Sequence, residues 1–412
     1  MPALAGQPGV AATARATLSG VQGLARLSAM GRNSRKSQTE PAAERAQAAI
    51  AAALNDSAGG VTTLSVRAAR PLGTLWAGYG TITEVETDGE DAQTLIVKEV
   101  HPPVSSGVSH ERKLRSYQVE AAFYEQVAPR LPADAACHVP RCLGVHSTLH
   151  SMHGSMDSGS SDSGKMQLVM SDLREDFPRS CGSLDEAHTR AALSWLAAFH
   201  AACWGADAAA LGLWEEGCYW HLQTRLEELE EIGQEWRALQ AAAHELDRRL
   251  RQTPWRTLCH GDFKSANLQF SDSRSAPVCA AVDFQYCGGG SGLKDVVYLL
   301  ASAASPRLLQ GGGEEALLRF YHAELIHGLQ ALAANSSGNS GSGTDSSDAR
   351  GTVGCPAKAA EAVEAYTFEA LHADWQLAVC DYVRFMAGWG FWGNTSWASA
   401  RCRECLAQLG LA

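Results

Sequence analysis

Hydrophobic positions follow a strand-like pattern in the first part of the chain and a helix-like pattern in the second. Residues 61–66 alternate and are rich in β-branched side chains, and residues 95–100 form an apolar run that contains a single lysine, Lys98. Both patterns are typical of β-strands. Residues 75–82 place a glycine turn between two strand-like runs. From Leu184 onward the pattern is mostly helical, so the sequence predicts an α+β protein with two lobes.

Shorter segments complete the predicted elements. Residues 42–54 are rich in alanine and residues 115–127 carry a helical pattern, so both are predicted helices. Residues 168–170, 257–259 and 278–282 are short apolar runs, and we expect each of them to form a strand.

Two low-complexity stretches interrupt these elements. Residues 147–165 are rich in Ser, Gly, Asp, His and Met, and residues 335–351 are rich in Ser and Gly. Neither composition can bury a core, so both are predicted to be flexible surface loops. The predicted division of the chain is a tail at 1–41, an N-terminal lobe at 42–172 and a C-terminal lobe at 173–412.

Composition and charge restrict the possible partners. The 412 residues are 45% hydrophobic and 19% charged, which is typical of a globular protein. The net charge is −11 and no basic face stands out, which argues against nucleic acid as a partner. The acidic run at 227–231 is expected to be a solvated helix face, and no apolar run is long enough to span a bilayer.

The cysteines and the N-terminal tail bear on the compartment. The 12 cysteines are scattered, which favours reduced thiols in an intracellular protein. Cys402 and Cys405 have the spacing of a redox pair or half a zinc site, but no second pair exists, so we expect neither role. Residues 1–39 contain arginine but no Asp or Glu, as in an organelle transit peptide, and an ordinary disordered tail is the alternative. Both the cytoplasm and an organelle remain possible locations.

The run at residues 260–267 carries the candidate chemistry. It places a carboxylate at Asp262 and a carboxamide at Asn267, and Asp283 follows sixteen residues later at the end of an apolar run. A carboxylate on a loop can accept the proton of a substrate hydroxyl, and amide and carboxylate oxygens are ligands that Mg²⁺ prefers. Protein kinases use H-R-D-x-x-x-x-N followed by D-F-G for these tasks. Any one of these residues could instead cap a turn, but the combined pattern favours phosphoryl transfer.

An upstream glycine turn and a lysine support the same chemistry. The turn at residues 78–80 allows close approach of the backbone to a phosphate. Lys98 follows 18–20 residues later on the next predicted strand, as in kinases. A lysine in an apolar strand needs charged partners, and a nucleotide phosphate and a helix carboxylate would supply them. Glu120 is the candidate for that carboxylate, and Glu125 is the alternative.

At this point the chain resembles a known superfamily, that of the choline kinases and aminoglycoside phosphotransferases, and most of all the ecdysteroid-kinase-like small-molecule kinases. The matching segments run in the family's order from about residue 60 to residue 390. They are W-A-G-Y-G at 76–80, V-K at 97–98, E-A-A-F-Y at 120–124, L-R-E-D-F-P at 173–178, L-A-A-F-H-A at 196–201, H-G-D-F-K-S-A-N at 260–267, and D-F-Q at 283–285 with Asp295. Ser171 departs from the family, which commonly has an acidic residue there.

The resemblance implies a two-lobed, protein-kinase-like fold with a β-rich N-lobe and a mostly helical C-lobe, and it implies ATP and Mg²⁺ as cofactors. It makes Asp262 the catalytic base, Asn267 and Asp283 the magnesium ligands, and Asp295 a brace for the catalytic loop. Lys98 and Glu120 complete the implied catalytic set. The implied nucleotide-binding residues, with a hinge near 168–173, are Gly78, Tyr79, Gly80, Lys98, Met170 and Asp172. In the matched helix, His200 is expected to be a buried structural residue.

The acceptor is left open by the sequence. Four tryptophans lie in the last helical region, where this superfamily often shapes the acceptor pocket: Trp375, Trp389, Trp392 and Trp397. They could form an aromatic cage for a quaternary ammonium group, but core packing is the expected role. Choline-like, steroid-like, sugar-like and aminoglycoside-like acceptors all fit the catalytic residues.

We therefore expect an ATP- and Mg²⁺-dependent phosphotransferase that acts on the hydroxyl group of a small molecule. A protein substrate is less expected, because only 11 residues separate Asp283 from Asp295 and no A-P-E segment is present. The rival hypothesis is a non-catalytic pseudokinase that binds a nucleotide or ligand as a scaffold. Such proteins generally lose the base, the lysine or a metal ligand, whereas this chain keeps all of them.

Overall fold

The structure, a computed structural model, describes residues 40–55, 64–89, 92–149, 164–334 and 351–412. Within it the chain divides into two compact units. The first comprises Met1–Ser105 and Leu143–Ser171, and the second comprises Ser106–Cys142 and Asp172–Ala412. The possible transit segment at 1–39, and most of both low-complexity inserts, lie outside the described residues.

A five-stranded antiparallel sheet forms the first unit, with the strand order β1-β2-β3-β5-β4. Its strands are β1 (Ser65–Thr74), β2 (Gly80–Asp88), β3 (Thr94–Val100), β4 (Cys142–Ser147) and β5 (Met166–Ser171). Strand pairing sets Lys98 opposite Ile82 on one side and opposite Leu168 on the other. Lys98 therefore lies on the central strand of the sheet, and it is 5% exposed.

Helix α1 (Glu40–Asn55) covers one face of this sheet. Its buried residues recur at helical spacing and are mostly alanines: Ala42, Ala46, Ala49, Ile50 and Ala53. They pack against the buried face formed by Val85, Leu95, Val97 and Val169. Small side chains at these positions let the helix backbone approach the strands closely. The predicted helix at 42–54 is therefore confirmed.

The described part of the second unit is mostly helical. Its nine helices are α2 (Val108–Ala122), α3 (Glu186–Ala202), α4 (Leu226–Glu230), α5 (Arg237–Gln252), α6 (Leu293–Ser302), α7 (Gly313–Ala334), α8 (Pro356–Ala365), α9 (Phe368–Trp389) and α10 (Thr395–Gln408). Two short antiparallel strand pairs accompany them, β6 (Thr257–Cys259) with β9 (Gly288–Gly290) and β7 (Leu268–Phe270) with β8 (Cys279–Ala281). The α+β class is thus confirmed.

An aromatic core lies directly beneath the candidate catalytic loop. Trp195 on α3 is fully buried, and its ring stacks on Phe199 at 5.1 Å and on Phe263 at 5.0 Å between centroids. Phe263 belongs to the catalytic run itself and is also fully buried. Because such rings bury large apolar areas, they fix the loop to the helical scaffold.

Most of the predicted elements are present. The strands predicted at 95–100, 168–170, 257–259 and 278–282 correspond to β3, β5, β6 and β8. The helix predicted at 115–127 starts earlier, at Val108, and ends in a π-helical turn at Phe123–Val127. Strands β4, β7 and β9 were not predicted. No helix among the described residues is long and apolar enough to cross a membrane.

The segment that contains α2 clusters with the second unit, which differs from the continuous lobe expected at 42–172. Side chains on α2 reach backbone carbonyls of that unit. Arg112 donates to the Thr224 carbonyl at 2.7 Å, and Arg115 donates to the Leu213 carbonyl at 3.0 Å. Below them, the ring of Phe123 stacks on Phe284 with centroids 3.6 Å apart. These contacts account for the grouping.

Candidate active site

The catalytic loop leaves β6 through a turn that requires glycine. Gly261 has a φ of 88°, in the left-handed region, and a Cβ atom there would lie 2.1 Å from the Tyr286 carbonyl oxygen. This close approach explains why glycine stands where protein kinases have arginine.

Asp295 holds the backbone of this turn. Its Oδ2 atom accepts from the backbone N–H of His260 at 2.6 Å, and its Oδ1 atom accepts from that of Gly261 at 2.9 Å. Asp295 itself is fully buried at the start of α6. The expected role of Asp295 as a brace for the loop is confirmed by these contacts.

His200 is part of the same support and is fully buried, as expected for a structural histidine. Its Nε2 atom lies 3.2 Å from Asp295 Oδ2, and its Nδ1 atom lies 2.8 Å from the Tyr321 hydroxyl. Because a carboxylate only accepts, Nε2 carries a proton and donates to Asp295. His200 therefore orients Asp295.

The Asp262 carboxylate receives hydrogen bonds from three side chains. Lys264 Nζ donates to Oδ2 at 2.8 Å, Asn267 Nδ2 donates to Oδ2 at 3.1 Å, and the Tyr298 hydroxyl donates to Oδ1 at 3.1 Å. Burial raises the pKa of Asp262, the Lys264 ammonium opposes that shift, and the charge of Asp283 adds to it. A carboxylate with a raised pKa is a stronger base than an ordinary aspartate.

His260 fixes the same loop from below. Burial lowers the pKa of His260, so the ring is neutral. Its Nε2 atom lies 3.1 Å from the Val282 carbonyl, and its Nδ1 atom lies 3.2 Å from the Asp262 backbone nitrogen. A carbonyl only accepts, so Nε2 carries the proton and Nδ1 accepts from Asp262. The histidine thereby ties the loop to the segment that leads into Asp283.

Asn267 and Asp283 lie at the same end of the β7–β8 hairpin. The backbone N–H of Val282 donates to the Asn267 carbonyl at 3.0 Å, which places the residue before Asp283 beside Asn267. The amide nitrogen of Asn267 is used on Asp262, which leaves its Oδ1 oxygen as the atom suited to a cation. Side chains with oxygen atoms at one hairpin end are of the kind that Mg²⁺ prefers as ligands.

A metal ion at this position would need further ligands from outside the protein. In the described ranges no three His, Cys, Asp or Glu side chains come together as a metal site. Nucleotide phosphates are ligands of the required kind. The same finding covers Cys402 and Cys405, whose buried thiols form no metal cluster with their described neighbours.

Phe284 fixes the direction of Asp283. Its ring is fully buried between Phe123 and His260, at centroid distances of 3.6 Å and 4.6 Å. Asp283 has a φ of 73°, an unusual value for a residue other than glycine. The anchored ring stabilises that conformation. The following Gln285 accepts from the Ser116 hydroxyl at 3.3 Å, a contact that the glycine of protein kinases could not make.

The two candidates for the helix carboxylate differ in burial. Glu120 on α2 is 2% exposed, whereas Glu125 is exposed. Burial raises the pKa of Tyr124, and the charges of Glu120 and Asp283 raise it further. Glu120 and Asp283 therefore both lie within electrostatic range of the buried Tyr124 ring. This burial favours Glu120 over Glu125.

The glycine turn of the first unit is tight. Its left-handed residues include Gly78, with a φ of 75°, and a Cβ atom on Gly80 would lie 1.9 Å from the Glu99 carbonyl oxygen. Tyr79 between them is 3% exposed, and its carbonyl accepts from the His101 backbone at 2.7 Å. The predicted turn is confirmed, and only backbone groups of residues 78–80 are suited to meet a ligand.

The predicted hinge residues fall on either side of the unit boundary. Met170 lies near the end of β5 in the first unit, 8% exposed and paired with Ile96. Asp172 begins the next segment of the second unit. Its Oδ1 atom accepts from Arg174, at 2.9 Å from the backbone nitrogen and 2.8 Å from Nε. The Asp172 carboxylate therefore serves a local turn.

The four tryptophans of the last helical region separate into two pairs. Trp375 and Trp397 both donate their indole N–H to the Glu314 carboxylate at 2.9 Å, so they pack within the helical unit. Trp389 and Trp392 form the second pair. The ring of Trp392 meets that of Tyr298 edge-on, with centroids 6.0 Å apart. The expected core packing therefore holds for the first pair.

Sequence reasoning missed four residues around Asp262. Lys264 stands two positions after the base, so its spacing could have shown it. Tyr298, Tyr219 and Arg225 lie 36 or more positions away from Asp262, and no local pattern marks them. The Tyr219 hydroxyl lies 3.1 Å from that of Tyr298, which extends the hydrogen-bond network around Asp262.

A family match now decides the identity. The model of the phosphotransferase enzyme family APH matches residues 83–332, more than half of the chain. The chain belongs to this family. The match covers Lys98, Glu120, Asp262, Asn267 and Asp283. The expected superfamily and kinase-like fold are thereby confirmed, and the ecdysteroid-kinase-like subgroup stays a prediction.

The APH family is a family of phosphotransferase enzymes, so the chain is a phosphotransferase by family. Among curated proteins no sequence matches it significantly. Solved structures that match the chain include a microcompartment-associated aminopropanol kinase, at 15% identity and a TM-score of 0.43, covering 89% of this chain and 97% of that one. A putative fructosamine-3-kinase from Thermobifida fusca YX-ER1 shows 13% identity and a TM-score of 0.45, covering 88% and 98%. A choline kinase from Cryptosporidium parvum Iowa II shows 9% identity and a TM-score of 0.41, covering 83% and 91%.

Proposed function

We propose that this APH-family protein transfers the terminal phosphoryl group of ATP to a hydroxyl group of a small molecule. The observation that carries the proposal is the position of Asp262. It is a buried carboxylate with a raised pKa, held by three donors, and Asn267 and Asp283 lie beside it at one hairpin end. This combination supplies both a base for the acceptor and oxygen ligands for the nucleotide's metal ion.

Asp262 acts as the general base. As the acceptor oxygen forms its bond to the γ-phosphorus, the bond from that phosphorus to the β-bridging oxygen breaks, and ADP leaves. The proton of the acceptor hydroxyl passes to the Asp262 carboxylate. Tyr298 and Asn267 keep that carboxylate in place through hydrogen bonds of 3.1 Å each.

Asn267 and Asp283 would hold Mg²⁺ through the Asn267 amide oxygen and the Asp283 carboxylate. When bound, the ion neutralises charge on the nucleotide phosphates. The donor set fits a hard cation, since it consists of oxygen atoms alone. Phe284 keeps Asp283 directed by its buried stack on Phe123.

The remaining predicted contacts concern the nucleotide. Lys98 meets the phosphates, and the backbone of the Gly78–Gly80 turn covers them, while Glu120 orients Lys98. Met170 and the backbone at Asp172 form the hinge that binds the adenine ring of ATP. The burial of Lys98, 5% exposed, and of Glu120, 2% exposed, supports functional charges at these positions.

The alternative is a non-catalytic scaffold, and turnover decides between the two. The purified protein would be incubated with ATP, Mg²⁺ and a panel of hydroxyl compounds, and ADP release and the mass of phosphorylated acceptors would be measured. Asp262→Asn is the blank. Asp272→Asn is the matched control, because Asp272 lies near the β7–β8 hairpin with a side chain that is 75% exposed. Nucleotide binding without turnover of any acceptor would favour the scaffold.

A further inference from the structure

Arg225 fills a cage of three aromatic rings. Its guanidinium carbon lies 5.3 Å from the ring centre of Tyr219, 5.7 Å from that of Phe385 and 4.9 Å from that of Trp389. All three distances are within the range of a cation–π interaction. We call these three rings the aromatic cage.

Arg225 is fixed in the cage by two hydrogen bonds. Its Nε atom donates to the Tyr219 carbonyl at 2.9 Å, and its Nη1 atom donates to Glu228 Oε1 at 3.1 Å. Arg225 is only 6% exposed. Aromatic faces together with a carboxylate are the groups that recognise an organic cation. The protein therefore contains a complete cation site and occupies it with its own side chain.

This cage adjoins the catalytic carboxylate. The Tyr219 hydroxyl, on one wall of the cage, lies 3.1 Å from the Tyr298 hydroxyl, which donates to Asp262 Oδ1 at 3.1 Å. The rings of Tyr219 and Tyr298 are 5.9 Å apart. An acceptor whose hydroxyl reaches Asp262 therefore has the Tyr219 wall of the cage beside it.

Further positively charged side chains lie near the aromatic cage and near Asp262. Arg112 donates to the carbonyl of Thr224, the residue before Arg225, at 2.7 Å. Burial lowers the pKa of Arg112, and the neighbouring Arg225 charge lowers it further. Lys264 adds an ammonium at Asp262 itself. The Glu228 carboxylate is already paired with Arg225.

We propose that Arg225 is a specificity-determining residue, which occupies the aromatic cage beside Asp262 and thereby excludes acceptors that carry an ammonium group at that position. The preferred acceptor is an uncharged hydroxyl compound that packs on the Tyr219 wall of the cage. This proposal rests on the proposed function for its acceptor site, but the cation site itself is testable without turnover.

The test is the binding of tetramethylammonium, measured by calorimetry and by tryptophan fluorescence. Wild-type protein should bind it very weakly. Arg225→Ala empties the cage and frees Glu228, so its affinity should be at least about tenfold higher, a difference of about 1.4 kcal/mol. Arg225→Lys retains a cation and should show no gain. Arg225→Ala with Glu228→Gln should lose most of the gain.

Arg403→Ala serves as the matched control, because Arg403 covers a different ring, that of Trp236, at 4.4 Å. It should leave tetramethylammonium affinity as in wild type. If Arg225→Ala is unstable, Arg225→Gln is the second variant, and a rise in its melting temperature with added tetramethylammonium reports the same binding. Equal tetramethylammonium affinity in wild type, Arg225→Ala and Arg225→Gln would overturn the proposal. A gain in Arg225→Lys as large as that in Arg225→Ala would also overturn it.

A second measurement uses choline and its uncharged isostere 3,3-dimethyl-1-butanol. Wild type should bind the alcohol in preference to choline, and Arg225→Ala should reverse that order. A wild-type preference for choline would refute the assignment of Arg225. Loss of ATP turnover with every acceptor would count against the proposed function, whereas the binding order would still decide the role of Arg225.

Discussion

Replacing Asp295 with asparagine should destabilise the second unit and slow catalysis, although Asp295 is fully buried. Both oxygens of its carboxylate accept hydrogen bonds: Oδ2 from His260 and His200, and Oδ1 from Gly261. Asparagine has one oxygen that accepts and one nitrogen that only donates. In either orientation of the amide, its NH₂ group faces a backbone N–H.

The magnitude follows from these contacts. In the better orientation the oxygen replaces Oδ2, and the N–H of Gly261 is left buried without an acceptor, which costs about 1–3 kcal/mol. The remaining hydrogen bonds are no longer made to a charged group, which roughly halves their strength. We therefore expect the free energy of unfolding to fall by about 2–4 kcal/mol. Because the turn before Asp262 loosens, turnover should fall by about 10²-fold.

Urea unfolding followed by tryptophan fluorescence measures the first quantity, and ADP release at saturating ATP measures the second. The control is Asp272→Asn, an exposed position expected to change stability by no more than about 0.5 kcal/mol. A loss below about 1 kcal/mol, together with unchanged turnover, would refute the reasoning that Asp295 supports the loop.

Four further variants test the site. Asp262→Asn should lower turnover by about 10²–10⁴-fold while ATP affinity, measured by calorimetry, stays nearly constant; near-normal turnover would rule it out as the base. Asp283→Ala should weaken Mg²⁺-dependent ATP binding in the same assay, and unchanged affinity would exclude it as a metal ligand. Lys98→Met should reduce turnover strongly while circular dichroism shows a folded protein; a fully active variant would exclude Lys98 as the contact to the nucleotide phosphates. Tyr298→Phe removes a donor to the charged form of Asp262, whose pKa burial already raises. The acidic limb of its pH–rate profile should therefore move to higher pH, and an unmoved limb would mean that this hydrogen bond does not act on the base.

The sequence could predict the core of the site because its chemistry is local. Asp262 and Asn267 lie on one loop, and a single hairpin brings Asp283 beside them. Short-range patterns carry such information directly. Tyr219, Tyr298 and Arg225 reach Asp262 or its neighbours through packing of separate elements, and no spacing in the sequence records that packing.

Strand β9 shows why some of the fold was missed. It consists of three glycines, Gly288–Gly290, which a sequence pattern marks as a turn. A Cβ atom on Gly288 would lie 2.3 Å from the Trp214 carbonyl oxygen, and one on Gly289 would lie 2.7 Å from that of Glu215. Glycine is present because two backbone segments meet closely, a requirement imposed by tertiary structure that overrides strand propensity. Helix α1 could be predicted because its buried alanines recur at helical spacing.

The catalytic loop is anchored at both ends, and the residues between the two anchors are less constrained. Asp295 fixes the entry of the loop and strand pairing fixes its exit at Asn267. Between these points Ala266 is exposed and Ser265 is half-buried, so neither supports the core. Mutations there can accumulate without displacing the base. A combinatorial library limited to these two positions would therefore vary the surface of the loop on an unchanged frame.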